Sequence, residues 1–227
     1  MTMTPIQNSK PQSKSPSSSR PPSLYQPPRT WQQHLKNQLQ TLYTHVINVI
    51  GNLLGNDWFS CQLRTGLLRQ LGNQIGRNTR INGGSYFYGG RLKTGHHCHI
   101  NRDCYFDFTG PITLGDHVVI GHGVTFITAH HSLGPAHRRA GPVIGKAIVI
   151  GSGTWIGANV TLLPGITIGP GAIIGANAVV TRSIPANVLA AGIPAKKIRT
   201  LEAPAVNGKD LSAFNPEPLV KRNRDES

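Results

Sequence analysis

The sequence predicts an all-β fold, a parallel β-helix, and residues 150–184 carry that prediction. An aliphatic residue returns there every six positions, at Ile150, Ile156, Leu162, Ile168, Ile174 and Val180. Glycine follows four of these, at Gly151, Gly157, Gly169 and Gly175, and the fifth place of each unit is small or aliphatic (Thr154, Val160, Ile166, Ala172, Ala178, Ile184). An α-helix cannot use this pattern: at about 100° per residue six steps advance about 240°, so the aliphatics would spread around the cylinder. An extended chain has period two, which keeps the first and fifth places on one side of every strand. The glycine beside each aliphatic is expected to supply backbone freedom for a corner. Short strands, corners and unbroken repetition describe a solenoid, whereas the turns of a β-sandwich are less regular.

Composition narrows the partners. A chain of 227 residues allows one or two domains. Aromatics make up only 6% and there are 26 glycines, which suits stacked coils filled by Ile, Val, Leu and Ala. The net charge is +14, the first acid is Asp57, and no Asp or Glu lies between Asp116 and Glu202. Such a sector favours a polyanion: nucleic acid, an acidic membrane surface, or a ligand with several phosphates. Interleaved aromatics and nucleic-acid motifs are missing, so nucleic acid is not expected. Cys61, Cys98 and Cys104 form an odd set with no secretory signal, which reads as reduced thiols in a cytoplasmic protein.

Taken in order, residues 1–29 are rich in Ser, Pro, Gln and Lys and read as a disordered basic arm. Residues 30–72 form a helical N-terminal segment. Over residues 30–55, Trp31, Leu35, Leu39, Leu42, Val46, Val49 and Leu53 recur at spacings of three and four, one apolar helix face with Thr30 as N-cap. Gln40, Thr44, His45, Asn48 and Asn52 make it too polar to span a membrane. Its apolar face either packs on the rest of the protein or lies in a membrane interface as a peripheral contact. A second helix is expected over residues 57–71, with Trp58, Phe59, Leu63, Leu67 and Leu68 apolar, Arg64 and Arg69 exposed, and Gly72 closing it. Six-residue units then begin at Ile75 and Ile81, slip over residues 87–91, and return at Leu92, Ile100, Phe106, Leu114 and Ile120. At Phe126 they stop. Residues 128–147, TAHHSLGPAHRRAGPVIGKA, have no such period, and a loop thrown out of a regular coil is where a solenoid places function. Residues 200–227 read as a tail.

Four motifs, TAHHSL followed by RR, VIGSGTWIGANVTLLPGITIG, IGANAVVTRSIP and AAGIPAKKIR, resemble those of the hexapeptide-repeat O-acetyltransferases. That group includes galactoside, maltose and nodulation-factor enzymes and colanic-acid-type polysaccharide acetyltransferases, and the likeness covers roughly residues 64–199. The resemblance implies a left-handed parallel β-helix over residues 73–199 and a homotrimer of side-by-side chains. Acetyl-CoA and acceptor would meet in the cleft between neighbours. It places the catalytic histidine in a T-x-x-H motif, here His131, with His130 before it. A sugar hydroxyl is a poor nucleophile while protonated, and neutral imidazole can remove that proton as the oxygen attacks the thioester. No acid lies in the loop, so the imidazole is oriented by a backbone carbonyl or by Asp103, Asp107 or Asp116 from preceding coils.

The same resemblance assigns acetyl-CoA to Trp155, Ala158, Ala176, Thr181, Arg182, Lys196 and Arg199. Small residues would admit the pantetheine, cations would meet phosphates, and the N–H near Ala158 would hold the oxyanion. Asn101 matches a substrate-contacting asparagine of the galactoside-type relatives, with a corner residue as the alternative. Those relatives also have an acid near the position of Thr109, for which Asp107 is the nearest substitute, so Asn101 and Asp107 are the expected substrate-binding residues. The segment over residues 30–72 looks more like the polysaccharide branch, so the expected acceptor is a glycan, a glycolipid or a glycan precursor. Two rivals stand beside this reading: a γ-carbonic-anhydrase-like zinc enzyme and a non-catalytic scaffold. His96, His97, Cys98 and His99 invite zinc, but neighbours on a strand point to opposite sides and cannot converge on one ion. No metal is expected.

Overall fold

The computed structural model describes residues 30–88 and 92–202. The predicted arm over residues 1–29, most of the predicted tail and most of the register slip lie outside the described residues. By its internal contacts the chain divides after Gln38. In the N-terminal unit, residues 30–38 open helix α1 (Trp31–Leu53) with a reciprocal capping box. The Gln33 N–H donates to Thr30 Oγ1 (3.3 Å) and the Thr30 N–H donates to Gln33 Oε1 (3.0 Å).

The unit from Leu39 onward holds the rest of α1, helix α2 (Trp58–Gln70) and a parallel β-helix of three sheets. The first sheet stacks Arg80–Ile81, His99–Ile100, Val119–Ile120, Trp155–Ile156, Ile173–Ile174 and Val188–Ala191. The second stacks Leu92–Thr94, Ile112–Leu114, Ile148–Ile150 and Thr167–Ile168, and the third Tyr86–Tyr88, Tyr105–Asp107, Thr125–Phe126, Thr161–Leu162 and Val179–Val180. Parallel register puts like over like: Ile81, Ile100, Ile120, Ile156, Ile174 and Ala190 form one buried column. In the third sheet Phe87, Phe106 and Phe126 stack at 4.8 and 4.7 Å, and Leu162 and Val180 continue the column. Each fully buried Ile or Phe contributes about 1.5–3 kcal/mol, so the six-residue period is a direct record of the core.

The corner glycines work differently from the sequence expectation. Positive φ falls at the fourth place of most units, for example Gly153 (φ 69), Asn159 (φ 55) and Asn177 (φ 59), not at the glycine after the aliphatic. That glycine is required by close approach: a Cβ on Gly157 would lie 2.6 Å from the Ala176 nitrogen and 2.8 Å from the Ile174 oxygen of the next coil.

The helices also depart from expectation. Toward the β-helix α1 buries Thr44, Ile47, Asn48 and Gly51, while Leu39, Leu42, Val46, Val49 and Leu53 stay exposed. The reason is the open edge of the first coil, whose backbone groups need partners that apolar side chains cannot give. Asn48 imitates a neighbouring strand, accepting from the Phe87 N–H (2.9 Å) and donating to the Phe87 carbonyl (3.0 Å). Asn52 does the same for Gly84 (2.9 Å) and Ser85 (3.3 Å), Asn56 accepts from Gly83 (2.7 Å), and Asn73 accepts from Leu92 (2.7 Å). In α2, capped by the Asp57 carboxylate on the Ser60 N–H (3.0 Å), Arg64 is buried, contrary to expectation. It donates to the carbonyls of Gly51, Leu54, Gly55 and Ile81 at 2.7–2.9 Å, clamping both helices to the first coil. At the other end Lys196–Thr200 turns back antiparallel on Val188–Ala191, so the last strand runs one residue past the expected domain end.

Candidate active site

The segment expected as a loop over residues 128–147 is mostly a β-hairpin, Ala129–Leu133 against Ala140–Gly145. It leaves the coil between a strand of the third sheet, Thr125–Phe126, and a strand of the second, Ile148–Ile150. Its tip closes through Gly134 N–H to Arg139 O (2.9 Å) and Arg138 N–H to Pro135 O (2.9 Å). His131 is exposed on the outgoing strand, opposite Val143. Its Nδ1 lies 2.7 Å from the Gly141 carbonyl oxygen. A carbonyl accepts only, so Nδ1 carries the proton and Nε2 is left as the basic nitrogen. His130, adjacent on the same strand, points to the other side.

Gly141 was not singled out from sequence. The hairpin register shifts between Ala140 and Val143, around a Gly-Pro pair. Pro142 has no N–H for the ladder, and the resulting irregularity frees the Gly141 carbonyl for a side chain. A Cβ at Gly141 would sit 2.8 Å from the Ser132 carbonyl oxygen, so the approach also needs glycine. The Gly-Pro dipeptide facing T-x-x-H was the available signal.

Asp107 anchors the base of the hairpin. One carboxylate oxygen accepts from the N–H groups of Ala129 (2.8 Å) and Thr128 (3.3 Å), and the other from Thr109 N–H (3.1 Å) and Oγ1 (2.8 Å). Burial pushes this carboxyl up, but the bonds from the Thr109 hydroxyl and the Ala129, Thr109 and Thr128 N–H groups outweigh it and hold it below its ordinary range. Thr128, fully buried, donates to the Asp107 carbonyl and accepts from the Gly110 N–H (2.9 Å). Asn101 is half-buried beside a corner, its Oδ1 accepting from Arg102 N–H (2.8 Å) and Asn82 Nδ2 (3.2 Å).

Three of the residues expected at acetyl-CoA, Trp155, Ala158 and Ala176, lie along another corner. Trp155 is 43% exposed on the first sheet, just before the turn that holds Ala158. Ala176 belongs to the same turn one coil later, where the Asn177 N–H donates to the Ala158 carbonyl (2.9 Å). Lys196 pairs with Ala191 and Arg199 with Leu189 on the next layer of that sheet. The chain between those strands bonds to Val179, through Val179 N–H to Gly192 O (3.1 Å) and Ala195 N–H to Val179 O (2.8 Å). Exposed Thr181 and Arg182 follow Val180 directly, so they lie not at that corner but where the third sheet turns into the second, two layers along from the point where the His131 hairpin leaves. Ala158 and Ala176 stand where the first sheet turns into the third, and His131 where the third turns into the second. Within one chain the width of the third sheet separates them.

The other thiols and imidazoles sit elsewhere. Cys98 and Cys104 are buried in the coil core, and burial pushes the Cys104 thiol up to about 11. His97 and His117 stack at 5.0 Å on a corner, and His96 Nδ1 accepts from the Arg77 N–H (2.9 Å). Among the described residues no three His, Cys, Asp or Glu side chains gather as a metal site.

A family model described as bacterial transferase hexapeptide (six repeats) matches residues 147–182. A hexapeptide-repeat acetyltransferase from Vibrio cholerae, solved with acetyl coenzyme A, is similar with TM-score 0.65 and 32% identity, over 74% of this chain and 90% of that one. The galactoside O-acetyltransferase of Escherichia coli is 34% identical over 139 residues, 61% of this chain and 68% of the relative.

The chain belongs to the hexapeptide-repeat acetyltransferase family.

A putative acetyltransferase of Staphylococcus haemolyticus is 42% identical over 50% of this chain, and the chain spans 59% of that relative's length. The likeness to the Vibrio cholerae acetyltransferase reaches well beyond the repeats of the family model. Membership in the hexapeptide-repeat acetyltransferases therefore rests on the fold as well as on the repeat.

Proposed function

We propose that the protein transfers an acetyl group from acetyl-CoA to a hydroxyl of a sugar or glycan, with His131 as general base. The observation that carries this reading is His131 itself: an exposed imidazole whose Nδ1 is held 2.7 Å from the Gly141 carbonyl, leaving Nε2 to take a proton. The acceptor hydroxyl oxygen attacks the thioester carbonyl carbon while Nε2 takes the hydroxyl proton. The tetrahedral oxyanion is held by a backbone N–H near Ala158. The C–S bond then breaks, the acetyl ester leaves, and the imidazolium returns its proton to the CoA thiolate. No covalent intermediate on the enzyme is needed. Trp155, Ala158 and Ala176 line the pantetheine path, and Thr181, Arg182, Lys196 and Arg199 meet the phosphates in a sector without carboxylates. Asn101 contacts the acceptor, and Asp107 positions the hairpin that carries the base.

The separation of His131 from the Ala158 corner favours a site shared between copies, the hairpin of one facing the corner of the next in a side-by-side homotrimer. The test is thiol release and acetyl-ester formation with acetyl-CoA and a panel of sugars and glycans. His131→Ala is expected to lower transfer by about 10²–10⁴-fold while acetyl-CoA still binds. Full-rate transfer by His131→Ala refutes the base. A wild-type protein that neither binds acetyl-CoA nor acetylates any acceptor refutes the function and leaves a scaffold.

A further inference from the structure

We propose that the outward face of α1, together with the N-terminal end of α2, docks on an anionic lipid surface. The proposal rests on how the helices are held and is independent of the acetyl-transfer reading. From Leu39 onward α1 is turned the opposite way from an ordinary amphipathic helix. Its stripe of Thr44, Asn48 and Asn52, with Ile47 the one large apolar side chain among them, faces the protein, and its apolar stripe of Leu39, Leu42, Val46, Val49, Ile50 and Leu53 faces outward. The helix cannot roll to correct this. Asn48 and Asn52 are bonded to the edge of the first coil, and the buried Arg64 ties the end of α1 to the same edge. Rolling would leave those backbone groups and the guanidinium without partners, at about 1–3 kcal/mol for each group.

The apolar surface continues onto α2, where Trp58 and Phe59 are each 68% exposed and Leu63 is 44% exposed. Leu53, 82% exposed, closes α1 just before them. Aromatic side chains beside an aliphatic stripe are the composition of a surface that enters the headgroup region. Val49 and Leu53 also line a shallow groove of about 310 Å³ with Tyr86, His45, Asn48 and Asn52. No helix among the described residues is long and apolar enough to cross a membrane, so the contact lies in the plane of the surface.

Charge selects the occupant. The first 56 residues contain no Asp or Glu and five cations, Lys10, Lys14, Arg20, Arg29 and Lys36, against the single carboxylate of Asp57 that caps α2. Bringing two such segments together juxtaposes like charge, which disfavours a second copy as the occupant. An anionic bilayer attracts the same cations and accepts the same apolar stripe.

The experiment is co-sedimentation of the full chain with phosphatidylcholine vesicles, with and without phosphatidylglycerol, at low and high salt. Wild type is expected to sediment with the anionic vesicles, and less with neutral ones or at high salt. Trp58→Ser/Phe59→Ser, and separately Leu42→Gln/Val49→Gln, are expected to weaken partition by at least about tenfold with thermal unfolding unchanged. Acetyl transfer to a soluble acceptor, measured on the same variants, separates failure of docking from failure of the enzyme assignment. The proposal is overturned if wild type ignores anionic vesicles or if both double variants bind like wild type. It is equally overturned if Trp58→Ser/Phe59→Ser reduces the particle mass in light scattering, because a second copy then covers the face.

Discussion

Asp107→Ala tests whether the candidate base is positioned from the coil beneath it. The Asp107 carboxylate accepts two bonds that cross to the hairpin, from Ala129 N–H (2.8 Å) and Thr128 N–H (3.3 Å), and two from Thr109. Hydrogen bonds to a charged group contribute about 1.5–3 kcal/mol each when well made. Asp107 is half-buried and one of the crossing bonds is long, so the two together amount to about 2 kcal/mol. Lost from the hairpin alone, that is roughly a thirtyfold rise in its opening equilibrium. The coils persist, because their columns of Ile, Leu and Phe are untouched. The assay is hydrogen exchange read on Ala129–Leu133 and Ala140–Gly145 against the coil strands. Asp107→Ala should speed the hairpin amides by about that factor and leave the coil amides unchanged. Acidity provides a second reading. The folded carboxyl is held below its ordinary range, so its stabilisation is complete above the unfolded value of about 3.9 and disappears as pH falls through the folded value. Wild-type hairpin protection, corrected for intrinsic exchange, therefore declines on acidification below about pH 4, and Asp107→Ala shows no such decline. Hairpin exchange in Asp107→Ala equal to wild type would refute the anchoring role.

Two stability predictions follow from the capped edge and the stacked corners. Asn48→Ala removes both partners of Phe87 from a buried position and is expected to cost about 2–4 kcal/mol in urea unfolding, with a loss under about 0.5 kcal/mol counting against strand imitation. Gly157→Ala drives a Cβ to 2.6 Å from the Ala176 nitrogen and should cost about 1–3 kcal/mol or more. Gly153→Ala, at φ 69 but with its Cβ 4.0 Å from the Gly171 nitrogen of the next coil, should cost only about 1 kcal/mol, and a reversed order would return the corner glycines to a purely conformational role.

The sequence alone determined the β-helix, its repeat boundaries and the place where the repeat breaks. Each coil buries the same places of its unit, so Ile150, Ile156, Leu162 and Ile168 record the core locally, with no need to know which distant strand pairs with which. The T-x-x-H motif likewise singles out His131 as a candidate, because the motif is a run of four adjacent residues. Tertiary structure alone decided three other matters. The carbonyl that meets His131 comes from Gly141, ten residues away, freed by an irregularity in a hairpin that carries no repeat. The face that α1 presents to the coils is largely polar, with Ile47 its one large apolar side chain, since the exposed edge of the first coil requires donors and acceptors, and helical periodicity identifies a stripe without saying what lies opposite. Arg64 is buried for the same reason, as five N–H donors in a rigid fork suit a cluster of carbonyls from a helix end and a strand. Local periodicity reports which side chains prefer to leave water; which backbone groups are left without partners is known only once the chain has closed on itself.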